Sequence, residues 1–274
     1  VMFLVDARCT VTRGRFIAKR VHSEIPGAAV SIFPTSTVHG RAAKGRMATM
    51  GGAVAIISPQ WARHLINTST DNLGLGLINS LHFRVQSRDI HVFGVYIPPR
   101  ASRNDESATL LTRIRHYMKG IKAKGHPRPY LELLYQRRLS AVGLDSLTIS
   151  GGDFNAILDL GNNRDGALRN IVQSLRLCTP LTTDLLPQHS YDTFVRNGVG
   201  ISRVDHIMHS PLPTDTHVGE LGVLNHYLFE CFDHRLIWMG LFLPGVRDET
   251  ARIRYVNKPK RLNILHSDPK AVKA

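Results

Sequence analysis

The sequence predicts an α+β fold, a four-layer α/β/β/α sandwich in which two stacked mixed β-sheets are flanked by helices. Nine short strand-like runs recur along the 274 residues, and helical patterns lie between several of them. The hydrophobic content is 43%, and no apolar run reaches the roughly 18 residues that a membrane helix needs. Covering two stacked sheets with helices is one of the few stable ways to bury that much strand surface.

The strand-like runs are rich in Val and Ile and are bounded by turn residues. Two of them, 91–97 and 203–209, alternate apolar with polar side chains, as half-buried strands do. The predicted strands cover residues 1–6, 28–33, 52–58, 76–86, 90–97, 147–150, 203–209, 217–224 and 236–242.

Three segments carry a helical pattern. In the first, apolar residues recur at three- and four-residue spacing from Leu110 to Ile121, and Gly125 with Pro127 can end the helix. The other two cover 130–142 and 167–178. Periodicity is then lost, which predicts a folded domain over residues 1–244 and a basic linker or extended tail over 245–274.

The formal net charge of +14 predicts a polyanionic partner, with nucleic acid favoured over a membrane surface. Residues 100–138 carry ten Lys and Arg residues against three acids. A merely solvated basic surface is the alternative. The residues predicted from this segment to bind nucleic acid are Arg100, Arg103, Arg113, Arg115, Lys119, Lys122 and Lys124.

Cysteine usage favours a reducing compartment. Cys9, Cys178 and Cys231 are far apart and form no Cys-x-x-Cys pair, so neither a disulfide framework nor a zinc ribbon is indicated. The chain opens inside an apolar run on Val1, so we expect any targeting signal to lie upstream. Secretion is not expected.

The stretch 150–158, Ser-Gly-Gly-Asp-Phe-Asn-Ala-Ile-Leu, places a carboxylate and an amide at the end of an apolar strand. Gly151 and Gly152 allow the backbone to bend or to approach another group closely. Asp153 can then act as a hard oxygen ligand or a proton acceptor, and Asn155 can hold a phosphate oxygen or a water. A tight turn stabilised by the two polar side chains is the alternative.

Three further clusters place polar side chains on or beside strands. Asp205 lies inside an alternating strand, where a carboxylate is costly unless it is paired or functional. Asp233 and His234 precede the last strand and combine a metal ligand with a general base. Tyr96 lies near the end of a strand that Pro98 terminates.

Two neighbouring histidines do not form a metal site by this pattern. His206 and His209 are three residues apart on a strand and therefore point to opposite faces. We expect them at the surface or at the edge of the core.

The order of these motifs resembles the endonuclease/exonuclease/phosphatase superfamily, the group of DNase I and the apurinic/apyrimidinic endonucleases. The resemblance is greatest to the endonuclease domains of non-LTR (LINE-type) retrotransposons and spans about residues 1–243. The five matching segments, in order, are Gly51–Ile56, Tyr96–Pro99, Gly152–Asn155, Ser202–Ile207 and Asp233–His234.

The resemblance implies a role for each matching side chain. Asp153 would position or deprotonate the attacking water, while Asn155 and Tyr96 would bind the scissile phosphate. His234 would contact the phosphate, with Asp205 orienting its imidazole. Asp233 would help to bind a divalent metal, Mg²⁺ or Mn²⁺, together with Asp6, and Ser202 and Arg203 would contact nucleic acid.

The chain departs from the family pattern at two positions. The family places a metal-binding Glu where this chain has Asp6, whose side chain is one methylene shorter. It also carries an Asn on a strand upstream of that Glu, and the sequence begins too late to contain it. Both departures place full activity in question.

Three functions are consistent with these observations. The first is a Mg²⁺-dependent phosphodiesterase that nicks DNA and derives from a retroelement, part of a larger polyprotein, and nuclear or mitochondrial. The second is a weakened or inactive relative that binds nucleic acid, DNA or RNA, as a structural subunit of a ribonucleoprotein. The third is a phosphatase acting on inositol lipids or sphingomyelin.

Overall fold

A computed structural model describes residues 1–35, 40–41, 47–48, 51–99, 110–143, 145–158, 166–179, 192–196, 199–224 and 234–243. Residues Val1–Leu243 form one compact unit. The tail predicted at 245–274 lies outside the described residues, so the domain boundary stays a prediction.

Five helices and fourteen strands make up the described part of the chain. The helices are α1 (Val11–Glu24), α2 (Pro59–Ala62), α3 (Leu110–Gly120), α4 (Pro127–Ser140) and α5 (Gly166–Ser174). The strands are β1 (Met2–Leu4), β2 (Ala29–Phe33), β3 (Gly40–Arg41), β4 (Met47–Ala48), β5 (Ala53–Ile57), β6 (Leu65–Ser69), β7 (Ile78–Val85), β8 (Arg88–Tyr96), β9 (Leu147–Asp153), β10 (Phe194–Arg196), β11 (Val199–Ser202), β12 (Asp205–His209), β13 (His217–Leu224) and β14 (Leu236–Phe242). None of these helices is sufficiently extended and apolar to traverse a bilayer.

Two of the sheets form the centre of the domain. The larger has the strand order β12-β9-β8-β7-β6 and is mixed, because β8 and β9 run parallel while the other neighbours are antiparallel. The smaller has the order β1-β5-β2 and is antiparallel throughout. The pairs β3–β4, β10–β11 and β13–β14 complete the described strand pairings.

The two central sheets stack face to face where β1 crosses β8. The Phe3 ring of β1 lies so close over Gly94 of β8 that a Cβ at position 94 would come within 2.2 Å of it. Phe3 also stacks on Phe33 of β2, with ring centroids 6.4 Å apart. The missing side chain of Gly94 therefore admits the aromatic ring between the sheets.

Helices cover the outer face of each sheet, which confirms the predicted layering. α1 packs on β2, where a Cβ at the buried Gly14 would meet the Ile32 side chain at 2.3 Å. On the opposite side, α3, α4 and α5 share one core with the larger sheet. Core residues from these helices include Ile114, Leu131, Tyr135 and Ile171, each under 5% exposed.

The structure differs from the predicted elements in two places that matter. Helix α1 was not predicted, although Thr10 caps it by accepting a hydrogen bond from the Arg13 backbone N–H at 3.2 Å. Its apolar residues do not follow a clean period, and Phe16 is exposed. Strand β9 was predicted to end at Ser150 but continues to Asp153.

Candidate active site

Three polar side chains form one row across three adjacent strands of the larger sheet. Asp153 at the end of β9 is the register partner of Tyr96 on β8 and of Asp205 on β12. Side chains of register partners project from the same face of a sheet. The row therefore brings together residues that are up to 109 positions apart, and it lies at the carboxyl end of the parallel pair β8–β9.

Gly152 makes the close approach of β9 to β8 achievable. Its φ is +148°, and a Cβ at this position would lie 1.9 Å from the Val95 carbonyl oxygen. Of the two alternatives predicted for Gly151–Gly152, a bend or a close approach to another group, Gly152 shows the close approach. It keeps the strand paired up to Asp153, because any side chain there would push the backbone of β8 away.

Asp153 is buried, and Asn155 fixes its carboxylate at both oxygens. The Asn155 backbone N–H donates to Oδ1 at 2.8 Å, and the side-chain amide donates to Oδ2 at 3.0 Å. The same amide also donates to the Ile97 carbonyl at 3.1 Å. Asn155 has a φ of +46°, a left-handed conformation that Asn tolerates better than most residues.

These bonds give Asn155 a different role from phosphate binding, which is the role that the resemblance implies. Its two amide hydrogens are directed at Asp153 and Ile97, so in this structure Asn155 orients the carboxylate. The contact of Asn155 with a phosphate oxygen stays a prediction.

The Asp153 carboxyl holds its proton unusually strongly. Burial, followed by the neighbouring charge of Asp205, raises its pKa to about 7, against a lowering effect of His234 and of the Asn155 backbone hydrogen bond. The charge of Asp6 adds a smaller upward effect. A carboxyl with a pKa near neutrality is suited to accept a proton from water at physiological pH.

His234 lies between the two carboxylates, in contact with one of them. Its Nδ1 is 2.8 Å from Asp205 Oδ2, and its Nε2 is 3.8 Å from Asp153 Oδ2. Because a carboxylate accepts, Nδ1 is the donor in the first pair, which orients the ring and directs Nε2 into the site. The Phe194 ring packs against the imidazole at a centroid distance of 5.4 Å.

Thr193 supports this pair and was missed by the sequence analysis. Its side chain is fully buried, and its hydroxyl accepts hydrogen bonds from the backbone N–H groups of Val204 and Asp205, both at 3.1 Å. Its carbonyl accepts from the Arg235 backbone N–H at 2.7 Å. Thr193 thus links the strand of Asp205 to the segment of His234, and a lone Thr gives no sequence signal for such a role.

Tyr96 and Asp6 form the other edge of the site. The Tyr96 hydroxyl is hydrogen-bonded to Asp6, and its pKa is raised strongly by burial, then by the charges of Asp6 and Asp153. The phenol therefore stays protonated and acts as a donor. Asp6 also accepts a hydrogen bond from the Gly51 backbone N–H at 2.7 Å.

Arg8 is an exposed cation beside this edge that the sequence analysis did not single out. Its charge acts on the Tyr96 hydroxyl, and its backbone φ is +48°. Backbone hydrogen bonds anchor both neighbours, from Ala7 to the Gly52 carbonyl and from Cys9 to the Gly51 carbonyl. The anchored turn thus presents Arg8 close to the site.

The basic residues predicted to bind nucleic acid are not equivalent in the structure. Arg113 and Arg115 of α3 are half-buried, and Arg113 donates to the Thr35 hydroxyl at 3.4 Å. The exposed members are Lys119, Lys122 and Lys124. Arg100 and Arg103 lie outside the described residues, while Ser202 and Arg203 are half-buried next to the strand of Asp205.

The two strand histidines were expected at the surface or at the edge of the core, and their burial on the edge strand β12 excludes the surface. His206 and His209 are buried, at 2% and 5% exposure, and are not surface residues. His206 Nε2 lies 2.7 Å from the Ala156 carbonyl oxygen, and His209 Nδ1 lies 2.7 Å from the Ser210 carbonyl oxygen. Backbone partners satisfy both rings inside the core, which the strand pattern alone did not reveal.

The donor set at the site fits a divalent cation. The ligand atoms of Asp153, Asp205 and His234 all lie within 4.8 Å of one another. Asp205 is a second buried carboxylate that raises the pKa of Asp153, and a bound dication relieves such a close pair of negative groups. The two predicted metal ligands stay predictions: Asp6 lies beside this set with its carboxylate bonded to Gly51 and Tyr96, and Asp233 is outside the described residues.

Binding of Mg²⁺ should release protons from this cluster. At pH 7 the Asp153 carboxyl is about half protonated, and a dication on its oxygens lowers its pKa, so close to half a proton per molecule is expected in solution. An indicator dye in weakly buffered solution measures this release.

The controls for the proton release are two Asn variants. Asp153→Asn should abolish the release, whereas Asp215→Asn, which alters an acid paired with Arg88, should not change it. Equal release from the parent and from Asp153→Asn would contradict a cation site at Asp153.

No protein-family model and no curated protein matches the sequence. Solved structures do match. An AP endonuclease from Archaeoglobus fulgidus superposes with a TM-score of 0.56 at 14% identity, covering 88% of each chain. The 3′ phosphatase NExo from Neisseria, bound to a product DNA hairpin, gives 0.56 at 12% identity, also covering 88% of each chain.

A third match is TDP2 from D. rerio complexed with a single-stranded DNA product. Its TM-score is 0.55 at 10% identity, covering 88% of this chain and 85% of that one. At such identities the similarity shows the fold alone. The chain has the DNase I-like α/β sandwich fold of these proteins.

Proposed function

We propose that this chain is a divalent-metal-dependent phosphodiester hydrolase that nicks DNA. The observation that carries the proposal is the pairing of two units at one rim of the sheet. Asp153 is held by Asn155, and His234 is held by Asp205, with His234 Nε2 only 3.8 Å from Asp153 Oδ2. A base and an oriented imidazole on either side of one small space are suited to in-line attack on phosphorus.

Asp153 accepts the proton of the attacking water. Without a bound cation its pKa of about 7 leaves a large fraction ionised at neutral pH, and a cation on its oxygens would increase that ionised fraction. Asn155 holds both carboxylate oxygens, so that the lone pair that takes the proton has a fixed direction. Asp153 together with Asp205 would hold a divalent cation, Mg²⁺ or Mn²⁺, which would supply Lewis-acid stabilisation of charge on the phosphoryl oxygens.

His234 and Tyr96 stabilise the charge that develops as the phosphodiester bond breaks. The Asp205 carboxylate binds Nδ1 and favours the imidazolium, whose Nε2–H can donate to a phosphate oxygen or to the leaving group. Tyr96, held as a protonated phenol, has a single O–H that donates to Asp6 in this structure and would turn to the phosphate as a second donor when substrate binds. Arg8 lies next to this edge as an exposed positive charge.

Nucleic acid is the substrate class that the charge supports. The chain carries a net charge of +14, and Lys119, Lys122 and Lys124 are exposed members of its basic segment 100–138. Two structures of the same fold were solved with DNA products. The five ordered sequence motifs are the support for a retroelement origin, which would place the chain within a larger polyprotein.

A second candidate function is nucleic-acid binding without efficient hydrolysis. One observation favours it, because Asp6 stands where the family has a metal-binding Glu and its carboxylate already accepts bonds from Gly51 and Tyr96. A cluster that lacks this ligand would hold a cation more weakly. Binding to nucleic acid would then depend on phosphate contacts alone and would weaken steeply with salt.

A supercoiled-plasmid assay tests the proposal. In the presence of Mg²⁺ the parent protein should convert supercoiled DNA to the open circle, and chelation with EDTA should stop the reaction. Salt-sensitive binding with no cleavage in Mg²⁺ or Mn²⁺ would support the second candidate. Hydrolysis of phosphoinositides but not of plasmid would show that the substrate is a phospholipid and not nucleic acid.

A further inference from the structure

Arg128 is a buried cation directly behind the site, and it has no part in the mechanism proposed for Asp153, His234 and Tyr96. It is the second residue of α4 and is 3% exposed. It belongs to the basic stretch that the sequence analysis interpreted as a surface for polyanions. Burial removes it from any phosphate in solution, so its charge has to be satisfied inside the protein.

The guanidinium bonds the backbone of both site-bearing strand ends. Nη1 donates to the Pro98 carbonyl at 3.1 Å, just after β8, and Nη2 donates to the Phe154 and Asn155 carbonyls at 3.0 Å each, just after β9. Nε donates to Glu132 Oε1, one helical turn along, at 3.1 Å.

We propose that Arg128 is a positioning residue that holds the Tyr96 and Asp153 strand ends in the geometry that hydrolysis requires. The proposal rests on the proposed function. Three carbonyls in two different segments converge on one side chain, and Glu132 balances its charge within the helix.

The bonds to Asn155 connect this clamp directly to the proposed base. The Asn155 backbone N–H and side-chain amide hold the Asp153 carboxylate, while its carbonyl is held by Arg128. The left-handed φ of +46° at Asn155 is an uncommon conformation that surrounding contacts must maintain. If the Asn155 carbonyl loses its bond to Arg128, Asn155 can rotate, and it then no longer fixes the Asp153 carboxylate.

The bond to Pro98 connects the clamp to the opposite edge of the site. Pro98 lies two residues beyond Tyr96, at the point where β8 has left the sheet. The Ile97 backbone N–H donates to the Asp153 carbonyl at 2.9 Å, so the two strand ends also touch each other. Arg128 closes this bridge from behind, and it sets the separation between the Tyr96 hydroxyl and the Asp153 carboxylate.

Only a guanidinium can serve three carbonyls and a carboxylate at once. Its planar fork carries five N–H donors in fixed directions, whereas a Lys ammonium is a single point with three donors. Arg128→Lys therefore keeps the charge but cannot span both strand ends. The double change Arg128→Met with Glu132→Leu removes the buried ion pair together, which similar-sized apolar pairs often tolerate without loss of folding.

The test combines amide exchange with nicking kinetics in the whole chain. Arg128→Lys should speed hydrogen exchange of the Asn155 and Ile97 amides by about tenfold or more, with the amides of β5, the central strand of the smaller sheet, unchanged. It should lower kcat by about 10- to 100-fold and change KM far less, because a misplaced base affects the transition state more than binding. The double variant should behave in the same way, and Arg137→Lys, an exposed position on the same helix, should match the parent.

Hydrogen exchange tests the clamp role of Arg128, and the nicking kinetics test its link to the proposed hydrolase function. Unchanged exchange at Asn155 and Ile97 in Arg128→Lys overturns the proposal, and so does faster exchange with an unchanged kcat. A general loss of stability would speed exchange of the β5 amides as well, which also overturns it. If the parent does not nick DNA, the proposed function fails, and the exchange result alone decides whether Arg128 is the clamp.

Discussion

Asp153→Asn should lower the rate of plasmid nicking by roughly 10²–10⁴-fold, the range that a general base typically contributes. Asn has nearly the same shape as Asp but cannot take a proton from water, and it presents one carbonyl oxygen where the carboxylate presents two. The measurement is the single-turnover rate with saturating Mg²⁺ and excess protein. Under these conditions a weaker affinity for DNA does not enter the observed rate.

The same substitution should stabilise the protein at pH 8, which distinguishes a lost base from a lost fold. The Asp153 pKa is raised to about 7 from an unfolded value of 3.8, so its charged form is disfavoured in the folded state. The contribution of Asp153 to stability is therefore full below pH 3.8 and is lost as the pH rises through 7. Asn is neutral throughout, so the free energy of unfolding should rise by on the order of 2 kcal/mol at pH 8 and little at pH 4.

Urea unfolding in EDTA at the two pH values measures this effect, with Asp215→Asn as the matched control. Asp215 is half-exposed and paired with Arg88, and its pKa is lowered by hydrogen bonding to that residue. Its replacement should leave nicking unchanged and should destabilise rather than stabilise the fold at pH 8. Nicking by Asp153→Asn at the parent rate would remove Asp153 from the mechanism.

The layers of the fold and several polar residues that meet at the candidate site could be predicted from the sequence, because both leave local patterns. Alternating strands, glycines before Asp153 and a carboxylate inside β12 can each be recognised within a few residues. Their convergence could not be derived from those patterns, because it depends on strand register. Tyr96 and Asp205 meet Asp153 only because β8 and β12 flank β9 with this pairing.

The residues that escaped the sequence analysis act through the backbone or through burial. Thr193 supports Asp205 by accepting two backbone hydrogen bonds, and any small polar residue looks alike before the fold is known. Arg128 was grouped with surface charges because composition cannot distinguish a buried guanidinium from an exposed one. Its four bonds become visible only when α4 is placed against the ends of β8 and β9.

Asp205→Asn should have the second large effect, a fall in the nicking rate of roughly 10²–10⁴-fold. The Asp205 carboxylate bonds His234 Nδ1 at 2.8 Å and so both orients the ring and favours its protonated form. The Asn amide can donate to Nδ1 of His234, whereas the carboxylate accepts from it. A donor at this position favours the neutral tautomer in which Nδ1 is unprotonated and Nε2 carries the hydrogen. The imidazolium that stabilises phosphate charge would then no longer form readily.

A Mg²⁺ titration distinguishes this role from simple metal ligation by Asp205. If the carboxylate acts mainly on His234, raising the Mg²⁺ concentration should not restore the rate of Asp205→Asn. If Asp205 acts only as a ligand, saturating Mg²⁺ should restore the rate, and the proposed histidine pairing would be wrong. The pKa of Asp153 provides an independent readout, because Asp205 is the main neighbouring charge that raises it, so this pKa should fall in Asp205→Asn when measured without metal. A slow variant whose Asp153 pKa has fallen and whose rate does not respond to Mg²⁺ would assign Asp205 to the orientation of His234.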